Sequence, residues 1–161
     1  NWQDFDQRFL GVLGAVGFTS FSGVSYVMMH NLRVILLASI LGIFSFGVLG
    51  VVVLMLPIML LGYLMANLAT GGLSSWAIMA ATVLPHGLLE IPVMVLAGAA
   101  IIRLGATPVA PARDMSIGEA VLRALADWTR ILAGLILPLL LGAAVIEVML
   151  TPLLTTLVMG R

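Results

Sequence analysis

Between Arg33 and Glu90 the chain carries no Asp, Glu, Lys or Arg. A helix needs about 20 consecutive apolar residues to cross the hydrocarbon core of a bilayer. That one run therefore holds material for at least two crossings. The rest of the composition points the same way. Hydrophobic residues make up 62% of the chain and charged residues 9%, against about 25% charged in a soluble domain. A 17.0 kDa chain is too small to hide so much apolar surface from water. The expectation is an all-α, polytopic transmembrane helix bundle, read as a single transmembrane domain over 1–161.

Several function classes are set aside at once. Formal net charge is zero and every basic residue is Arg, so there is no basic face for nucleic acid. Cysteine is absent, which removes disulfides, thiolate metal sites and Cys nucleophiles. No Ser stands in a nucleophile-elbow context and no Gly-rich phosphate loop is present. The reading is non-enzymatic, with no cofactor. Asp4 and Asp6 replace the positive start of a cleavable signal. The chain begins at Asn1 rather than Met, which leaves room for a fragment of a longer chain or a processed product.

Residues 1–8 read as an interfacial lead-in with Trp2 as anchor. Residues 9–29 are apolar but diluted by Gly, Ser and Thr. His30-Asn31-Leu32-Arg33 is a polar punctuation, and a segment then runs from Val34 to about Leu56. Ala38, Gly42, Gly47 and Gly50 recur along it, and small residues let helices approach closely in lipid. Pro57 is expected to break or kink the chain, leaving a short segment to about Leu68. Thr70 to Ser75 reads as a turn, with Ser75 as helix cap. Trp76 to Ile102 would be about 40 Å long as one helix. Pro85-His86-Gly87 and Pro92 interrupt it, so a broken or re-entrant helix is expected there. Residues 104–115 form a loop. Ser116 and Glu119 have capping-box spacing, and near 117–130 an interfacial amphipathic helix follows. On it Glu119, Arg123 and Asp127 fall at i, i+4 spacing, which allows weak pairing. The last span is 131–150, with Gly134, Pro138 and Gly142 along one face and Pro152 as its end. The total is about 4–5 membrane segments.

Arginines favour the cytoplasmic side. Arg103, Arg113, Arg123 and Arg130 cluster in the loop 103–130, joined by Arg8 if every segment crosses, while Arg33 and Arg161 lie on the other side. The loop 103–130 is therefore expected to be cytoplasmic, in a multi-pass protein of the cell membrane.

Ionisable groups inside a membrane are costly and usually face a partner or a cavity. His86 and Glu90 are four apart, so a helix through them puts both on one face. They could pin a broken helix, relay a proton or take a ligand. Glu147, amid apolar neighbours, reads as a carboxylate reaching the interface or as a buried partner for His86 or Arg33. Asn31 and Arg33 stand at the mouth of the second segment. By residue type His86, Glu90 and Glu147 could also make a metal triad, although the pattern of two His around a Glu is missing.

The run Leu84-Pro85-His86-Gly87-Leu88-Leu89-Glu90-Ile91-Pro92 is followed by Leu96-Ala97-Gly98-Ala99-Ala100 and Arg103-Leu104-Gly105. With Asn31-Leu32-Arg33-Val34 before it and Gly142 to Pro152 after it, this resembles the stage II sporulation protein M family over roughly 26–152. His30 stands where that family has a first Asn, and Pro57-Ile58 where it often has Asn-Gly. The family's usual first span is compressed into residues 9–25. The resemblance implies a polytopic membrane protein; the family's namesake works with two peptidoglycan hydrolases and is not itself known as an enzyme. The function expected is then a membrane scaffold or complex subunit that positions partners such as cell-wall hydrolases. Its surroundings would be the lipid bilayer, other membrane or cell-wall proteins, and further copies of itself in a homo-oligomer. Because relatives stand near or are fused to transporter components, a permease-like subunit with a His/Glu site at the helix break is the alternative. An intramembrane metalloenzyme is third.

Overall fold

The computed structural model describes residues 20–70, 75–111 and 114–159. The lead-in at 1–8, the first half of the 9–29 segment, the turn residues 71–74, Arg113 and Arg161 lie outside them. The described residues are helical throughout, joined by turns. Helix α1 spans Phe21–Phe44, α2 Val48–Thr70, α3 Ser75–Thr82, α4 Leu84–Ala106 and α5 Ile117–Ile131. A π-helical stretch, Leu132–Ile136, leads into α6, Leu137–Val145. A second one, Ile146–Leu150, leads into α7, Thr151–Met159. From α5 to α7 every junction keeps right-handed helical backbone angles, so the whole run is one long, locally widened helix. Four helical runs are long and apolar enough to cross a membrane: Phe21–Phe44, Val48–Asn67, Leu84–Ala106 and Ile117–Leu154.

The crossings are divided differently from the sequence expectation. The His30-Asn31-Leu32-Arg33 punctuation does not interrupt α1, which is continuous across it. Ser20 caps its start, its hydroxyl accepting from the Gly23 amide at 3.4 Å. The reversal comes instead at Ser45-Phe46-Gly47, inside the segment expected to run from Val34 to Leu56. Phe46 and Gly47 both have positive φ, 54° and 93°, and glycine supplies the second at no steric cost. Helix α2 then continues through Pro57 without a break. In lipid a chain that stops being helical must satisfy its backbone polar groups elsewhere. One lost hydrogen bond at a proline costs less than a break exposed to hydrocarbon.

Pro152 does not end the last helix either. Each π stretch closes two residues before a proline: Ile136 before Pro138, and Leu150 before Pro152. The Leu137 and Thr151 amides bond back five residues, to the Leu132 and Ile146 carbonyls. A proline ring would strike the carbonyl four residues back in a regular α-helix. The widened turn gives it room.

Small residues set how closely the helices pack. Helices α1 and α2 form a hairpin against which α4 lies. A Cβ on Gly50 would lie 2.6 Å from Ile101 Cγ2. One on Gly105 would lie 2.6 Å from the Gly42 carbonyl oxygen and 2.7 Å from the Phe46 carbonyl carbon. Only hydrogen fits at these positions, as the spacing of Ala38, Gly42, Gly47 and Gly50 predicts. Ile35, Ala38, Leu54, Val93, Ala97, Ile101, Ile136 and Leu140 form the buried core between α1, α2, α4 and the long helix. Large apolar side chains such as Leu88, Val95 and Leu153 point outward and are more than 60% exposed. An outer surface of this kind fits lipid as its solvent.

The capping box is present. The Glu119 amide donates to the Ser116 hydroxyl at 3.3 Å, and the Ser116 amide donates to the Glu119 carboxylate at 2.9 Å. Helix α5 buries Ala120 and Ala124 and exposes Ile117, Leu122 and Leu125, as an amphipathic helix at the membrane surface does.

Candidate functional site

The helix interruption falls at Val83, between α3 and α4, directly ahead of Pro85-His86-Gly87. Pro85 sits in the first turn of α4, where its missing amide would lack an intrahelical acceptor in any case. Val83 still donates to the Met79 carbonyl at 2.9 Å, and its own carbonyl accepts from Gly87 at 2.8 Å. Backbone hydrogen bonds therefore run across the interruption. Gly87 is buried, with Val83 Cγ1 as its near neighbour. Pro92 lies within α4 without ending it.

Four of the five polar residues singled out in the sequence gather at one level. Asn31, in the middle of α1, donates from Nδ2 to Glu90 Oε1 on α4 at 2.9 Å. Glu90 thus finds its partner on another helix, 59 residues away in sequence, rather than in His86 one turn back. Glu147 lies on the second π stretch, within electrostatic reach of His86 and Glu90. His86 shares the α4 face with Glu90. Its Nδ1 is buried and has no hydrogen-bond partner among the described residues. Arg33 is exposed on the outer side of α1 and is no part of this layer. Beside it, His30 stacks on Tyr26, with ring centroids 6.5 Å apart.

Chemically the layer is three acceptors and donors on α1 and α4 facing one carboxyl on the long helix. It can hold the helices in register, and it can hold a proton. Among the described residues no three His, Asp or Glu side chains come together as ligands for one metal ion.

A second polar group stands at the other end of the bundle. Arg103, at the close of α4, donates to Asp127 on α5 at 2.6 Å, and Arg130 donates to the other Asp127 oxygen at 3.2 Å. The i, i+4 pairing expected along α5 does not form. Glu119 is taken by Ser116 and Asp127 by two other arginines. Sequence reading missed this cluster because the Arg103–Asp127 pair joins two helices. Its available signal was an arginine closing an apolar helix just ahead of an amphipathic one.

Along α4 the rise from Glu90 to Arg103 is about 20 Å, at about 1.5 Å per residue. If the arginine group marks one headgroup level, the Asn31–Glu90 layer lies within the far part of a hydrocarbon core about 30 Å thick.

No curated protein and no solved structure matches the chain. The family described as Stage II sporulation protein M matches residues 4–152. With four apolar helices and that match over most of its length, the chain is a multi-pass membrane protein that belongs to the stage II sporulation protein M family.

Proposed function

We propose that this protein is a non-enzymatic membrane scaffold that holds partner proteins, such as cell-wall hydrolases, in position at the cell membrane, with its 103–130 loop in the cytoplasm. The observation that carries this reading is the Asn31–Glu90 hydrogen bond, which ties α1 to α4 inside the apolar zone. Together with the glycine-mediated contacts of α1, α2 and α4, it supports a rigid platform rather than a hinged one. Arginines concentrated at 103–130 favour the cytoplasmic placement of that loop. The test is purification in mild detergent from cells that express peptidoglycan hydrolases. Recovery of a hydrolase at fixed stoichiometry, or of a defined homo-oligomer bearing one, is expected. A lone monomer with no hydrolase overturns the reading.

One observation favours the permease-like alternative: the buried, unpartnered Nδ1 of His86 close to two carboxyls. A helix interruption with ionisable groups is where transporters place their sites. Proton flux into proteoliposomes that disappears in His86→Ala would favour this second reading. Flux indistinguishable from empty liposomes removes it.

A further inference from the structure

Between the end of α4, the following turn and α5 lies a cleft of ≈ 430 Å³. Arg103, Arg123, Arg130, Asp127 and Thr107 line it, with Ala120 and Ala124 at the foot of α5. Three guanidiniums against one carboxylate leave a net charge of +2. The carboxylate does not cancel the arginines so much as arrange them. Both Asp127 oxygens are used, one by Arg103 and one by Arg130. Each guanidinium has five N–H donors, so most remain available to a ligand. Arg123 makes no hydrogen bond or ion pair among the described residues, because the acids one turn away on either side are engaged elsewhere. The arginine fork matches the oxygens of a phosphate in both geometry and charge.

The position of the cleft selects the source of that phosphate. It opens where the apolar run of α4 ends at Arg103, the level of lipid headgroups. Beside it α5 presents exposed Ile117, Leu122 and Leu125, an apolar surface on which acyl chains can rest. We propose that this cleft binds the phosphate of an anionic phospholipid headgroup, with Arg103, Arg123 and Arg130 as its donors. The preference is for a lipid of net negative charge, since a zwitterionic headgroup brings its own cation into a cleft that is already positive. A basic residue at a membrane surface contributes about fivefold to the affinity for anionic lipid.

The test is native mass spectrometry of the full chain released from detergent containing equimolar phosphatidylglycerol and phosphatidylethanolamine. One phosphatidylglycerol per chain is expected to survive. Arg123→Gln should lower its retention about fivefold, and millimolar inorganic phosphate should not displace it. Arg123 is exposed and unpaired, so the substitution leaves the helix contacts untouched. Equal retention of the two lipids, or retention unchanged in R123Q, overturns the proposal. Displacement by inorganic phosphate also overturns it, and assigns the cleft to a soluble phosphate compound.

Discussion

The Glu90 carboxylate accepts from the Asn31 amide at 2.9 Å, and this fixes what its removal should do. In Glu90→Leu the amide keeps its place in the apolar zone and loses its acceptor. Hydrogen bonds between membrane helices are worth about 1 kcal/mol, so a loss of about that size is expected in the unfolding free energy, read by denaturant titration in detergent micelles. Glu90→Gln keeps an acceptor oxygen and should lie near the parent. Removing both partners leaves neither group unsatisfied. The Asn31→Leu/Glu90→Leu double variant should therefore lose less than the two single variants together, and strict additivity would show that the bond contributes nothing. The sequence made part of this site legible. Four-residue spacing put His86 and Glu90 on one face, and the charge-free surroundings marked both as exceptional. It also singled out Asn31 and Glu147. Which of them meet depends on how α1 and the long helix pack on α4, and that is tertiary information which local spacing does not carry.

Glycines divide sharply at the scale of the element. Gly105 has its space filled by the backbone of Gly42 and Phe46, so even a methyl group must push the α1–α2 hairpin off α4. A Cβ on Gly134 would meet nothing within 4 Å beyond its own helix among the described residues, and the residue faces outward. Gly105→Ala is expected to cost more than about 2 kcal/mol, as overpacking into backbone does. Gly134→Ala should be neutral or stabilising by up to about 1 kcal/mol through helix propensity. Equal melting behaviour of the two variants would contradict the packing described. Capping is a smaller effect: Ser116→Ala should cost α5 about 1 kcal/mol, read as lost helicity by circular dichroism. The element boundaries were legible where their signals were chemical, as at Ser116 and Glu119. They were not legible where proline was taken as a stop. Pro57 and Pro152 both lie within helices, because hydrocarbon penalises a broken backbone more than it penalises one missing hydrogen bond.

Topology follows for the whole molecule from which ends meet. Gly105, near the end of α4, packs on Gly42, Phe46 and Gly47, so the α1–α2 turn and the loop after α4 share one face of the bundle. Ser20, before α1, and the end of α7 lie at the opposite face. The sequence expectation of about 4–5 segments, with an interfacial helix leading into the last, matches the observed number of apolar helices. It placed the first reversal wrongly because the polar residues at 30–33 outweighed the less conspicuous Ser45-Phe46-Gly47 turn. The chain contains no cysteine, so single substitutions report cleanly. Phe46→Cys and Met115→Cys should react with a membrane-impermeant maleimide from the same side of sealed vesicles, and Ser20→Cys only from the other. If the arginine-rich loop is cytoplasmic, the first two are labelled in inverted vesicles and the third in intact cells. Labelling of Phe46→Cys and Met115→Cys from opposite sides would break the hairpin arrangement itself, because the Gly105 contact requires both to lie at one surface.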